Sequence, residues 1–160
     1  MAVILRKLFG VGKLPTDLHA QVDDEGLIHL AEYVAVTRRF SGSIPGLRVQ
    51  GSIASYVGCL AFTSQRVLAT LSVVPKLAGR AVDVRWDAVQ GGAATAEISS
   101  TGLQLDIDTA AVDERFHGHL SLHFKDAIGE DVLALLPRRS LAFDVPPEYV
   151  FRAVGVTYSP

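Results

Sequence analysis

Phe116-His-Gly-His-Leu-Ser-Leu-His-Phe-Lys125 places Phe116, Leu120, Leu122 and Phe124 on one parity, and His117, His119, Ser121 and His123 on the other. Successive strand side chains point to opposite faces, so this pattern predicts a half-buried β-strand with an apolar inner face and a histidine-bearing outer one. The same alternation recurs upstream. Arg80 to Asp87 interleaves Val82, Val84 and Trp86 with Asp83, Arg85 and Asp87, and Leu103 to Asp108 alternates in the same way. Ala94 to Ser99 leads into the latter through the turn residues Thr101-Gly102.

Working toward the N-terminus, Ile53 to Thr63 and Arg66 to Val74 are apolar runs split by Ser64-Gln65, as in a hairpin. Leu27 to Phe40, with Tyr33, Val34 and Val36, reads as a first long strand, and Ser41 to Gly46 as the turn after it, with Gly51 extending that loop. Toward the C-terminus, Ala127 to Leu136 sets Ile128, Val132, Leu135 and Leu136 at helical spacing, with Asp126 as cap and Pro137 as stop. Leu141, Phe143 and Val145 then alternate, and Pro146-Pro147-Glu148 opens a short helical turn carrying Tyr149, Val150 and Phe151. The expectation is a mostly β fold: a seven-stranded antiparallel barrel or sandwich capped by one C-terminal helix. Residues 1–160 form a single domain with its core over about 27–136, and 1–26 and 137–160 pack upon it.

The hydrophobic fraction of 49% lets burial offset the entropy of ordering the chain. A net charge of -2 lacks the basic surplus of a nucleic-acid binder. The lone Cys59 excludes an internal disulfide framework, sits in an apolar context that reads as core, and suits a cytoplasmic location. No run reaches the roughly 20 apolar residues of a membrane span, so membrane contact would be peripheral. Ile4, Leu5, Leu8 and Phe9 beside Arg6, Lys7 and Lys13 form the one stripe suited to it, though such a stripe more often docks on its own domain. Gly-rich phosphate loop, nucleophile elbow and HExxH motif are all missing from the sequence, which points away from an enzyme and implies no cofactor.

The segment Gly58-Cys-Leu-Ala-Phe-Thr-Ser-Gln-Arg-Val-Leu68 resembles the pattern around a tight turn in GRAM and bacterial pleckstrin-homology-like domains, with Thr63 and Arg66 carrying the match. Seven antiparallel strands followed by an amphipathic helix is also the element order of that family, in which the helix plugs one open end of the barrel. The resemblance implies a Thr that hydrogen-bonds the local backbone and an Arg that braces the turn. The helix lacks the Trp common in eukaryotic members; Trp86 lies in a strand instead.

Two sets of residues stand out as candidate sites. Arg38, Arg39 and Arg48 flank the first turn, where members of that family place phosphate-clamping bases, although exposed Arg beside a strand is ordinarily solvated. His117, His119 and His123 share one strand face, and with Asp106 from the preceding strand they have the chemistry of a metal site. Asp106 opposite His117 and Asp108 opposite Arg115 would equally be ordinary cross-strand charge pairs. The expected function is a non-enzymatic binding module that presents loops or a sheet edge to a protein partner or to peripheral anionic lipid. The alternatives are a metal- or small-ligand-binding barrel using His117, His119 and Asp106, and a structural homodimer joined through an edge strand or the apolar tail around Phe143 to Phe151.

Overall fold

The computed structural model describes residues 14–71, 79–158 and 160. Its elements are α1 (Thr16–Asp24), β1 (Leu27–Ile44), β2 (Leu47–Thr63), β3 (Arg66–Leu71), β4 (Gly79–Arg85), β5 (Ala94–Ser99), β6 (Gly102–Asp108), β7 (His117–Lys125), α2 (Glu130–Leu133), β8 (Ser140–Phe143) and α3 (Pro147–Val154). The strands form one antiparallel sheet in the order β4-β3-β2-β1-β7-β6-β5-β8, curled into a nearly closed barrel. The N-terminal stripe of Ile4, Leu5, Leu8 and Phe9 lies outside the described residues.

β1 is the seam of the barrel, pairing with β2 along most of its length and with β7 from Ala35 to Ser43. A strand of eighteen residues can serve both halves only if it bends. Register shifts after Leu27, Ala31 and Phe40 supply the bends, and at the second of them Tyr33 adopts φ 58°. The expected loop from Ser41 to Gly51 is instead a continuation of the hairpin, with its turn at Pro45-Gly46. Gly51, at φ 65°, is absorbed as a bulge whose N–H donates to Ser41 Oγ at 2.7 Å.

Three expectations about the C-terminal third are corrected. There are eight strands among the described residues rather than seven, because Ser140 to Phe143 adds to the edge of β5. The helix expected over Ala127 to Leu136 is only the single turn α2. The backbone stays extended through Gly129 (φ -70°, ψ 155°), held against the β5–β6 hairpin by N–H bonds from Asp126 and Ile128 to the Thr101 and Ser100 carbonyls, so the helix begins only at Glu130, and Asp126 bonds His29 Nε2 at 2.6 Å instead of capping. The longer C-terminal helix is α3, with Pro147 in its first turn and Gly155 closing it at φ 81°. It buries Val150, Phe151, Ala153 and Val154 in the barrel core together with Leu141, Phe143 and Val145. The apolar tail proposed as a dimer contact is therefore spent on the chain's own interior.

Two apolar clusters lie on opposite faces of the sheet. Inside the barrel, Phe40, Leu60, Phe62, Leu105, Leu120, Leu122, Phe124 and Phe151 are all essentially inaccessible. On the outside, Leu14, Leu18 and Val22 recur every fourth residue and press α1 onto Cys59, Ala61 and Leu68. That cover explains why Val57 to Thr63 is buried on both faces.

The turn between β2 and β3 ties α1 down. Thr63 Oγ1 accepts from the N–H groups of Gln65 and Arg66 at 3.1 and 3.0 Å and donates to Glu25 Oε1 at 3.0 Å. Arg66 bonds Glu25, Asp83 and Gln21, each within about 3.1 Å. Burial works against the charge on Arg66, but its bonds to Glu25 and Asp83 outweigh that and raise its pKa. Trp86 Nε1 closes the arrangement by donating to the Thr63 carbonyl at 2.7 Å.

Burial beneath α1 pushes the Cys59 thiol up to about 12, with Glu32 acting in the same direction. An unfolded-chain thiol titrates near about 8.5, so the native state holds this proton more tightly. The resulting stabilisation is complete below that unfolded value and is lost as pH climbs toward the folded one. The urea midpoint of the wild type is expected to fall more steeply between pH 8 and 11 than that of Cys59→Ala; parallel slopes would refute the assignment.

Candidate functional site

The outward parity of β2, β1, β7 and β6 carries the chain's polar face, and the ladder fixes its rows. Arg48, Ser43 and His117 form one row at the hairpin end. The next begins at Ser41, opposite His119, and continues to Asp108. Ile53, Arg39, Ser121 and Asp106 form a third, and Ser55, Thr37, His123 and Gln104 a fourth. The apolar Ile53 is 60% exposed among these polar neighbours. Close approach at the hairpin end depends on Gly42 and Gly118, which face each other across β1 and β7.

Two open grooves cross this face. Ser41, Gly42, Ser43, Arg48, Val49, Gln50 and His117 line one of about 650 Å3, and Thr37, Arg39, Gln104, Ser121 and His123 line one of about 390 Å3. Neither Arg39 nor Arg48 has an ion-pair partner among the described residues, whereas Arg66, Arg85 and Arg115 all do. The face thus presents two uncompensated guanidinium groups, each beside an imidazole that offers hydrogen bonds.

The three expected arginines do not act together. Even-numbered Val34, Val36 and Phe40 point into the barrel, and Arg38 shares their parity, at 5% exposed. It lies 6.0 Å from the centroid of the Tyr56 ring. Burial raises the Tyr56 pKa, and Arg38 partly offsets the effect. Arg38 is therefore removed from the surface set, which leaves Arg39 and Arg48.

The histidines are likewise divided. Asp106 stands opposite Ser121, not His117, and Asp108 opposite His119, not Arg115. The connection after β6 winds through a 3-10 turn at Thr109–Ala111 and an Asp113–Arg115 ion pair, which takes up the residues the expected register had assigned to pairing. His119 Nε2 reaches Asp106 Oδ1 at 3.3 Å, while His123 Nδ1 lies 3.1 Å from Gln104 Oε1. His117 belongs to the hairpin-end groove. No group of three or more His, Cys, Asp or Glu side chains placed to hold a metal occurs among the described residues. Thr37 shares its strand parity with Arg39, and Ser121 with His123, which is the signal that marks them, whereas Gln104 joins the site only through the β6–β7 ladder.

No helix among the described residues is long and apolar enough to cross a membrane. No family model, no curated protein and no solved structure matches the chain.

Proposed function

We propose that the chain is a non-enzymatic binding module of pleckstrin-homology-like type, which docks a protein partner on the outward face of β2, β1, β7 and β6. The observation that carries this reading is the pair of unpartnered guanidinium groups, Arg39 and Arg48, on an open sheet face that also exposes Ile53. An apolar side chain beside arginines, ringed by hydroxyl and imidazole groups, is the composition of a protein interface with a small anchor and a polar rim. Asp106 and Asp108 on the same face, together with a net charge of -2, would repel the phosphates of an anionic membrane. The family assignment is supported by the seven strands that precede the final segment, by the C-terminal helix α3, and by the bonding of Thr63 and Arg66 at their turn.

Proximity crosslinking of the full chain in its own cells, comparing wild type with Arg39→Ala/Ile53→Glu, tests the proposal. A partner captured by the wild type and lost by the variant is expected, with affinity for that partner reduced at least about tenfold, in keeping with truncation of a central anchor. Salt-sensitive co-sedimentation with phosphatidylserine vesicles, abolished by the same variant, would instead assign the face to lipid and overturn the protein reading.

A further inference from the structure

Among the described residues, Arg38 and Thr70 bury side-chain polar atoms without a hydrogen-bond partner, and of the two only Arg38 carries a charge. Its Nε and Nη1 are buried and have no hydrogen-bond partner. Its neighbours in the ladders are Ala54 and Leu122, with Leu105 next beyond on β6. An arginine does not shed its proton in proteins, so the site cannot neutralise itself. Leaving such a charge buried and unpaired is costly enough that a counter-charge is expected.

That counter-charge does not come from this chain's acidic side chains. All seventeen Asp and Glu residues lie outside 1–13, 72–78 and 159, and so among the described residues, and none of them pairs with Arg38. The C-terminal end of α3 offers only a partial negative charge, and its Ala153 carbonyl already accepts from the Tyr56 hydroxyl at 2.8 Å.

The surroundings also supply an approach. β3 pairs with β2 only from Gly58 to Phe62, so the stretch of β2 before it has no strand on that side among the described residues. On its inward row, Ser52, Ala54 and Tyr56 are only half-buried, so the stretch of β2 beside Arg38 is partly open to solvent. Ser52 adds a hydroxyl group at the entrance.

We infer that Arg38 is the receptor for a single oxyanion, a carboxylate or phosphate group borne by a small ligand, that enters over the inner face of β2 beside Ser52 and Tyr56. This site is separate from the outward face carrying Arg39, because the two side chains point to opposite sides of the sheet. An arginine suits the role because its N–H groups converge on oxyanions with charge-assisted hydrogen bonds.

The test is a titration of the purified full chain with sodium phosphate, sodium acetate and sodium octanoate, each against sodium chloride at equal ionic strength. The wild-type melting temperature is expected to rise saturably with at least one oxyanion, by about 4 °C at ten times its Kd. Arg38→Met is expected to show no such rise. Phosphate acting alone would identify a phosphate group, and octanoate acting more strongly than acetate would identify a carboxylate with an apolar tail. Equal rises in wild type and Arg38→Met would overturn the proposal, as would no rise with any of the three at 100 mM. Should Arg38→Met fail to fold, the Nε–H nuclear magnetic resonance signal of Arg38 in the wild type decides. A saturable shift with the oxyanion and none with chloride supports the site, and an unmoved signal refutes it.

Discussion

Gly118→Ala is expected to lower stability by about 3 to 5 kcal/mol, enough to unfold a marginal domain. Gly118 holds φ 105° opposite Gly42, and a β carbon there would lie 2.0 Å from the Ser41 carbonyl oxygen and 2.5 Å from Gly42 Cα. The reciprocal substitution at Gly42 meets the His117 carbonyl oxygen at 1.9 Å. Both obstacles are backbone, so no rotamer change relieves them, and the strands must separate. The separation would fall on the β1–β7 ladder, the seam that joins the two halves of the barrel, rather than at an edge. Gly91→Ala is the control: its φ is 132° but nothing stands within 4 Å of the added carbon, so it should cost only the backbone term of about 1 to 2 kcal/mol. Urea midpoints of the two variants decide the matter. A cost at Gly118 no greater than at Gly91 would show that the close approach of β1 and β7 is not what the glycine pair provides.

Strands were legible in this sequence wherever one face is dry and the other wet. The alternation in Leu103 to Asp108 and in Phe116 to Lys125 reports that condition directly, and both segments are strands with Leu103, Leu105, Leu120, Leu122 and Phe124 inside. α1 leaves only a thin periodic trace, because its nine residues carry two apolar contacts, Leu18 and Val22, with Leu14 just before it, and its N-cap, Pro15, forms no side-chain cap. A signal did exist one strand away. Val57-Gly-Cys-Leu-Ala-Phe62 does not alternate, and a strand apolar on both parities needs a cover on its outer face. The overestimate at Ala127 to Leu136 has a different origin: the apolar spacing is helical, but long-range bonds from Asp126 and Ile128 to the β5–β6 hairpin hold the backbone extended as far as Gly129. The site shows the same division. Parity placed the histidines outward, and the same parity would have sent Arg38 inward with Val36 and Phe40. Pairing partners across the β6–β7 connection were not legible, because they depend on how many residues the turn at Thr109–Ala111 and the Asp113–Arg115 pair consume.

Arg66→Ala should cost about 2 to 3 kcal/mol and, more tellingly, should undock α1 before the barrel fails. The arginine is 12% exposed and clamps Glu25 at the end of the α1 segment to Asp83 on β4. Its removal leaves Glu25 with the Thr63 hydroxyl as its remaining side-chain partner, while Asp83 keeps Arg80 at 3.4 Å. The loss is therefore concentrated on the α1 side of the clamp. Few contacts other than Leu14, Leu18 and Val22 secure that helix, and Cys59 lies directly beneath them. Thiol labelling at pH 8 reads this opening, since the native thiol is both covered and held protonated by burial. A weakening of about 2 kcal/mol in α1 docking corresponds to labelling roughly 30-fold faster. Thr63→Val should act in the same direction, because it strips the acceptor from two backbone N–H groups at the turn while Thr63 itself is fully buried. The double variant should fall short of the sum of the two, as residues in one bonded network do. Faster labelling accompanied by an equal drop in global unfolding free energy would mean that α1 and the barrel open as one unit. Labelling at the wild-type rate would mean that the apolar contacts alone hold the helix in place.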